Sequence, residues 1–129
     1  MPDSTTTVAA LKEAMAHFVA ERSWEPFHTP KNLVMGLAVE TAELMEHFLW
    51  VENEASRQVL LGPGRREDVA DELADVTCYL LALSNTLGID LSDAVVRKLA
   101  KTARKYPVEK YHGRYRAADP PPGGAGNKK

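Results

Sequence analysis

Apolar residues recur every three or four positions in four segments of this chain. That spacing places them on one face of a helix, so each segment is predicted to form an amphipathic helix. The four predicted helices cover about residues 7–22, 29–50, 66–87 and 90–105. Such apolar stripes are buried when the helices pack together, and the predicted fold is therefore an all-α four-helix bundle.

Residues that start or stop helices support these limits. Thr29 is a candidate N-cap, and Pro30 after it suits the first turn of a helix. Gly88 follows the third predicted helix as a candidate C-cap, and Pro107 stops the fourth. Segment 52–65 contains a Gly-Pro-Gly sequence and loses the helical period, so it is predicted to be a mobile connection.

The C-terminal end has a different composition from the rest of the chain. Three consecutive prolines, two glycines and a polar end follow Tyr115. A segment of this kind has too few apolar residues to join a packed core. We therefore predict one folded domain over residues 1–115 and a disordered tail over residues 116–129.

Composition and charge restrict the classes of function. A chain of 129 residues, 44% of them hydrophobic, is long enough for one compact domain. The formal net charge of -2 gives no general surface for polyanions, so long nucleic acids are not expected as partners. Cys78 is the only cysteine, which excludes an intramolecular disulfide and fits a reducing cytosol. No stretch reads as a signal peptide or a membrane span, so we expect a cytoplasmic protein without membrane partners.

Two pairs of carboxylates provide the candidate chemistry. Glu40 and Glu43 lie three residues apart in the second predicted helix, as do Glu72 and Asp75 in the third. Acids at this spacing point the same way, so two packed helices could direct four carboxylates to one spot. Acids that close raise one another's pKa values unless a cation holds them. Hard oxygen ligands favour Mg²⁺, with Mn²⁺ as a possible substitute, and predict hydrolysis of a phosphate-bearing substrate.

The flanks of the two apolar stripes combine these acids with aromatic residues and contain no lysine. They are therefore expected to line a groove. On the second helix the flank consists of Asn32, Gly36, Glu40, Glu43, His47 and Trp50. On the third helix it consists of Asp68, Glu72, Asp75 and Tyr79.

Several short stretches around the acids add to this signal. They are Trp24-Glu25-Pro26-Phe27-His28, Lys31-Asn32-Leu33, Phe48-Leu49-Trp50, Tyr79-Leu80 and Lys105-Tyr106-Pro107-Val108. Together with the two acid pairs they resemble the all-α nucleoside triphosphate pyrophosphohydrolases of the MazG type, and most closely the single-domain dCTP pyrophosphatase branch. The resemblance covers about residues 18–108.

This resemblance implies a Mg²⁺-dependent enzyme that cleaves a nucleoside triphosphate between its α and β phosphates, releasing a monophosphate and pyrophosphate. Glu40, Glu43, Glu72 and Asp75 would hold the metal and carry the catalysis. The positions that match substrate-binding residues of the family are Trp24, His28, Lys31, Asn32, Trp50, Tyr79, Lys98, Thr102, Lys105 and Tyr106. The leading substrate is dCTP or a modified dCTP.

Two positions depart from the family pattern. Met15 stands where the family places a histidine of the nucleobase pocket, and Thr102 stands where an asparagine is frequent. A threonine hydroxyl cannot reproduce the donor and acceptor pair of an amide. Both departures bear on the preference for the base.

The family resemblance also implies homodimers or homotetramers with nucleotide sites near the subunit contacts. Burial points the same way, because four helices in about 110 ordered residues cover only part of their apolar surface.

Other functions compete with this one. The chain could act on another nucleotide such as dUTP, or it could be a helical assembly module without activity. A ferritin-like di-iron protein needs Glu-x-x-His pairs on core helices. In this chain such pairs fall in proline-interrupted segments, so the di-iron alternative is rejected. Trp24 and Trp50 could also serve core or interface packing, and the lysines of the fourth helix could simply complement the helix dipole.

Overall fold

The structure, a computed structural model, describes residues 1–120. All regular structure in this range is helical, which confirms the predicted all-α class. The α-helices are α1 (Val8–Glu21), α2 (Pro30–Glu46), α3 (Asn53–Ser56), α4 (Arg65–Leu87), α5 (Leu91–Lys105) and α6 (Val108–Tyr111). Two short 3₁₀-helices cover Glu25–Phe27 and Val59–Leu61.

Side-chain caps fix the starts of three of the long helices. The hydroxyl of Thr7 accepts a hydrogen bond from the Ala10 N–H at 3.1 Å before α1. The hydroxyl of Thr29 accepts one from the Asn32 N–H before α2. A carboxylate oxygen of Asp90 accepts from the Asp93 N–H at 2.9 Å. Each cap satisfies a backbone donor that the first helical turn leaves free. The C-cap Gly88 has a φ of 65°, a left-handed conformation that favours glycine.

The structure differs from the sequence prediction at the end of α2, in the connection over residues 52–65 and in the additional helix α6 after Pro107. Helix α2 ends at Glu46, before the predicted end at Trp50. After Glu46 the chain continues in turns with i to i+3 hydrogen bonds, such as the 2.9 Å bond from the Phe48 N–H to the Met45 carbonyl. The connection over residues 52–65 contains α3 and a 3₁₀-helix. Single helical turns are too short to show an apolar stripe, so periodicity could not reveal them.

The chain forms two compact units, Met1–Ile89 and Asp90–Lys129, and each is described by itself. In the first unit, α1 and α2 both pack against α4. The buried apolar residues of this core are Val19, Leu33, Val69, Leu81 and Ala82. Leu33 of α2, the helix that packs most extensively on α4, is only 2% exposed. A single domain over residues 1–115 stays a prediction.

Much apolar surface of the first unit stays outside this small core. On α2 the exposed residues include Val34, Met35 and Val39, and on α4 they include Leu73 and Leu80. A lone chain would leave these side chains in water, at a cost proportional to their area.

The predicted tail falls mostly outside the described residues. Between residues 116 and 120 the chain forms a turn, in which Arg116 and Asp119 make an ion pair of 3.4 Å. Among the helices of residues 1–120, none has the length and apolar character needed to cross a membrane.

Candidate active site

Three of the four predicted acids meet where α2 packs on α4. Glu40 and Glu43 lie on successive turns of α2, and Glu72 lies on the facing side of α4. Each contributes a carboxylate oxygen to a group whose members all lie within 4.8 Å of one another. We call Glu40, Glu43 and Glu72 the acid cluster. The i to i+3 spacing of the first pair and the packing of the two helices together produce it.

The carboxyl groups of the acid cluster disturb one another's ionisation. Partial burial is the largest cause that raises the pKa of Glu40, followed by a hydrogen bond with Glu43 and by the negative charges of Glu43, Asp75 and Glu72. Burial also leads in raising the pKa of Glu72, with the charges of Glu43 and Asp75 next. The negative form of each group is therefore disfavoured in the protein without a counter-ion.

His47 is the one neighbour that opposes this effect at Glu72. Its positive charge lowers the pKa of the Glu72 carboxyl. Arg65 holds this end of α2 in place, because its guanidinium donates a hydrogen bond of 3.2 Å to the His47 carbonyl. A link therefore runs from the first residue of α4 back to the C-cap of α2, close to the acid cluster.

The acid cluster fits a divalent cation. Oxygen Oε2 of Glu40 and Oε2 of Glu72 are both shielded from solvent and accept no hydrogen bond within the described residues. Two buried carboxylate oxygens without donors are costly unless a cation compensates their charge. Oxygen ligands without a thiolate suit a hard ion such as Mg²⁺ or Mn²⁺. Glu40, Glu43 and Glu72 are the residues that would hold it.

Asp75 is placed differently from the other three acids. Its carboxylate is not part of the acid cluster, although its charge raises the pKa values of both Glu40 and Glu72. Its side chain lines a neighbouring cavity. The second pair is thus divided, with Glu72 in the acid cluster and Asp75 between that cluster and the cavity.

The cavity beside Asp75 has a volume of about 260 Å³ and is mostly aromatic and apolar. We call it the aromatic cavity. It is lined by Met15, Phe18, Trp24, His28, Asp75, Cys78 and Tyr79. Such a combination of flat apolar walls and few polar groups is typical of a site for a planar ligand. Met15 and His28 also line a larger cavity of about 440 Å³, and none of the acid pairs line that cavity.

Aromatic contacts fix the walls of the aromatic cavity. The rings of Phe18 and Trp24 meet edge to face at 5.8 Å between centroids, and the ring of His28 lies 6.4 Å from that of Trp24. The Arg22 guanidinium lies 3.8 Å above the Phe18 ring. These contacts restrain the loop after α1, which would otherwise be free to move.

Three further predicted binding residues of the first unit do not line the aromatic cavity. The Asn32 side-chain amide donates a hydrogen bond of 3.1 Å to the Phe27 carbonyl, which ties α2 to the aromatic loop. Trp50 is 96% exposed and does not line the aromatic cavity. Lys31 is exposed in the first turn of α2. Their contact with a nucleotide stays a prediction.

The remaining predicted binding residues belong to the second unit. Lys98, Thr102 and Lys105 lie on α5, and Tyr106 is its C-cap. The Tyr106 ring meets the Tyr111 ring edge to face at 5.0 Å, with the Lys105 ammonium 5.4 Å from its centroid. Phosphate binding by these residues also stays a prediction.

Phe18 and Cys78 line the aromatic cavity, although the sequence predicts no part for either in the site. Their positions in the aromatic cavity follow from helix packing, which no local pattern encodes. Burial, and then the charge of Asp75, raise the pKa of the Cys78 thiol, so it is a weak nucleophile there.

The acid cluster makes stability depend on pH in the metal-free protein. The pKa values of Glu40 and Glu72 are raised above the ordinary value of 4.5, so the folded state binds these protons more tightly than the unfolded chain. Their stabilising contribution is complete below pH 4.5 and is lost as pH rises through the folded-state values. The double variant E40Q/E72Q lacks this loss. In EDTA, its melting temperature should exceed that of the wild type by more at pH 8 than at pH 5.

Mg²⁺ supplies the matching control for this prediction. Added at pH 8, it should raise the melting temperature of the wild type and leave E40Q/E72Q unchanged. Equal pH profiles of the two proteins in EDTA would contradict the proposed repulsion between the carboxylates.

Comparisons with known proteins show what this chain is similar to. Residues 36–119 match the model of the MazG-like family, a range that includes both acid pairs. The chain is 37% identical over 110 residues to dCTP pyrophosphatase 1 of Bos taurus, covering 85% of this chain and 65% of that protein. It is 37% identical over 102 residues to dCTP pyrophosphatase 1 of Homo sapiens, covering 79% and 60%. The chain therefore spans less than two thirds of the length of these curated relatives.

The match to a solved structure covers most of both chains. The crystal structure of a pyrophosphatase from Archaeoglobus fulgidus superposes with a TM-score of 0.73 at 36% sequence identity, covering 83% of this chain and 98% of that one. The helical fold, both acid pairs and the matched range point to one conclusion, which confirms the family predicted from the motifs. The chain belongs to the MazG-like family.

Proposed function

We propose that this chain is a divalent-metal-dependent nucleoside triphosphate pyrophosphohydrolase whose substrate is dCTP or a modified dCTP. The observation that carries the proposal is the adjacency of two parts. An acid cluster with oxygens within 4.8 Å of one another lies next to an aromatic cavity, and the charge of Asp75 acts on the cluster while its side chain lines the cavity. One part suits a charged phosphate chain with its cation, and the other suits a base.

The reaction requires water to attack the α phosphorus while the bond to the oxygen between the α and β phosphates breaks. A carboxylate of the acid cluster accepts the proton of the attacking water, and pyrophosphate leaves. Bound by Glu40, Glu43 and Glu72, Mg²⁺ would supply Lewis-acid chemistry that neutralises the charge building up on the phosphates. The raised pKa values of Glu40 and Glu72 fit this arrangement, since the cluster is built for a positive partner.

The aromatic cavity supplies the binding of the base. Trp24 and Tyr79 offer flat surfaces on which a base can stack. Asp75 presents a carboxylate that accepts hydrogen bonds, and the exocyclic amine of cytosine is a donor, whereas the corresponding position of uracil and thymine is an acceptor. The Asp75 carboxylate therefore favours cytosine over uracil as the base. The names of the curated relatives agree with that choice.

Self-association is part of the proposal. The exposed apolar residues of α2 and α4, among them Met35, Val39 and Leu73, are each more than half exposed in the single chain. A homodimer or homotetramer that covers them would remove this surface from water. Light scattering that finds only monomers at micromolar concentration would refute it.

A hydrolysis panel tests the activity directly. The purified chain is incubated with dCTP, 5-methyl-dCTP, dUTP and dATP, each with Mg²⁺ or with EDTA, and the products are identified by phosphorus NMR. We expect monophosphate and pyrophosphate from dCTP with Mg²⁺ and no turnover in EDTA. Release of orthophosphate would refute the proposed bond cleavage. A preference for dUTP would refute the role of Asp75, and an assembled protein without turnover would favour the inactive assembly module.

A further inference from the structure

Gly36 and Tyr79 make an unusually close contact between α2 and α4. A Cβ atom added at Gly36 would overlap Cε1 of the Tyr79 ring and would lie 2.6 Å from Cζ and 2.9 Å from the hydroxyl oxygen. Carbon atoms of real side chains do not come this close to other heavy atoms. The Tyr79 ring therefore occupies the space that any other residue at position 36 would fill.

Backbone conformation does not explain the glycine at this position. Gly36 lies inside α2, and it is not among the glycines with positive φ in residues 1–120. Glycine within a helix costs about 0.5–1 kcal/mol relative to alanine. Its benefit is the close approach of the tyrosine ring, which no other residue permits.

The same ring is a wall of the aromatic cavity. Tyr79 lines it together with Asp75 and Cys78, its neighbours on α4, and with Trp24 from the loop. One side of the ring therefore rests on α2 at Gly36, and another borders the space proposed for the base. The position of this wall depends on how closely the ring can approach α2.

We infer that Gly36 is a positioning residue that sets the width of the aromatic cavity by seating Tyr79 against α2, and that it thereby determines which bases fit. The effect on bases rests on the proposed function, whereas the seating of the ring does not. In G36A the added methyl group pushes the ring away from α2 and into the cavity. The narrowed cavity binds a base less well, and a base with an additional substituent is affected most.

Cys78 makes the width of the cavity measurable without any nucleotide. It is the only cysteine of the chain and lines the same cavity as Tyr79. Its rate of reaction with a small thiol reagent, measured at pH 8.5 because burial raises the pKa of the thiol, reports access to the cavity. We expect G36A to react at least threefold more slowly than the wild type. Unfolding would accelerate the reaction, so a slower rate cannot come from a failure to fold.

G62A provides a matched control for this measurement. Its added Cβ would meet the flexible Arg65 side chain, 2.9 Å from Cγ, and lies away from the aromatic cavity. G62A should react at the rate of the wild type. An unchanged or faster rate in G36A would overturn the inference, whatever the nucleotide experiments show.

Kinetic measurements on the wild type, G36A, Y79A and G36A/Y79A test the consequence for substrates. In G36A the KM for dCTP should rise about tenfold, and more for 5-methyl-dCTP, while kcat changes by less than about twofold because the acid cluster is untouched. In the Y79A background, adding G36A should leave KM unchanged, because the ring that the methyl group displaces is gone. An equal increase in that background would overturn the inference.

The two measurements separate this inference from the proposed function. A slower Cys78 reaction with an unchanged KM would place the base outside the aromatic cavity, which overturns the specificity role and the proposed base site together. A slower reaction in a protein that hydrolyses no nucleotide would refute the proposed function and confirm only the seating of Tyr79.

Discussion

Replacing Glu43 by glutamine should lower kcat/KM for the nucleotide by about 10²–10³-fold, the loss usually found when one charged group that stabilises a transition state is removed. Glu43 offers a carboxylate oxygen within 4.8 Å of those of Glu40 and Glu72. Its negative charge raises the pKa values of both Glu40 and Glu72. Without its charge, the remaining two carboxylates hold a divalent cation less tightly. Turnover at saturating and limiting Mg²⁺ measures the effect.

Glu46 offers a matched control for this substitution. It is exposed at the last turn of the same helix and is not a member of the acid cluster. E46Q should retain turnover within about twofold of the wild type, and it should keep the rise in melting temperature that Mg²⁺ causes, whereas E43Q should lose that rise. E43Q with more than a tenth of wild-type activity would contradict the assignment of the acid cluster.

Replacing Leu33 by alanine should lower the free energy of unfolding by about 2–5 kcal/mol, the usual range for a fully buried leucine. Leu33 is 2% exposed and belongs to α2, which packs on α4. The cavity left by the substitution removes packing contacts that hold α2 in the core. Glu40 lies two turns further along the same face of α2, so Mg²⁺ binding should weaken as well. Urea unfolding measures the first effect, and calorimetric titration with Mg²⁺ measures the second.

L61A carries the same chemical change at an exposed site. Leu61 is 80% exposed, so its truncation should change the free energy of unfolding by less than about 0.5 kcal/mol. A loss in L33A no larger than that in L61A would show that the contact between α2 and α4 does not limit stability.

Helix positions were predictable because their signals are local. The N-cap Thr29 and the C-cap Gly88 act within one turn of their own helices, and the structure places both as expected. The short helix Asn53–Ser56 was not predicted because a single turn has no period to detect. The early end of α2 was not predicted because the sequence of successive i to i+3 turns resembles that of a helix.

The candidate site was predictable in part. The spacing of Glu40 and Glu43 fixed their common direction, and the apolar stripes indicated that they face another helix. The separation of Asp75 from the acid cluster could not be predicted, since it depends on the exact rotation of α4 against α2. The position of Trp50, exposed in the single chain, depends likewise on how the chain leaves α2.

By itself the sequence determined the helical class and the family and predicted the acids of the site, because caps, periodicity and motif spacing are properties of neighbouring residues. Only the tertiary structure decided which carboxylates come within 4.8 Å of one another and which residues line the aromatic cavity. The tertiary structure also decided the close contact of Gly36 with Tyr79. These residues are far apart in the chain, and their distances are set by the packing of α2 on α4, where a shift of one side-chain width would change them all.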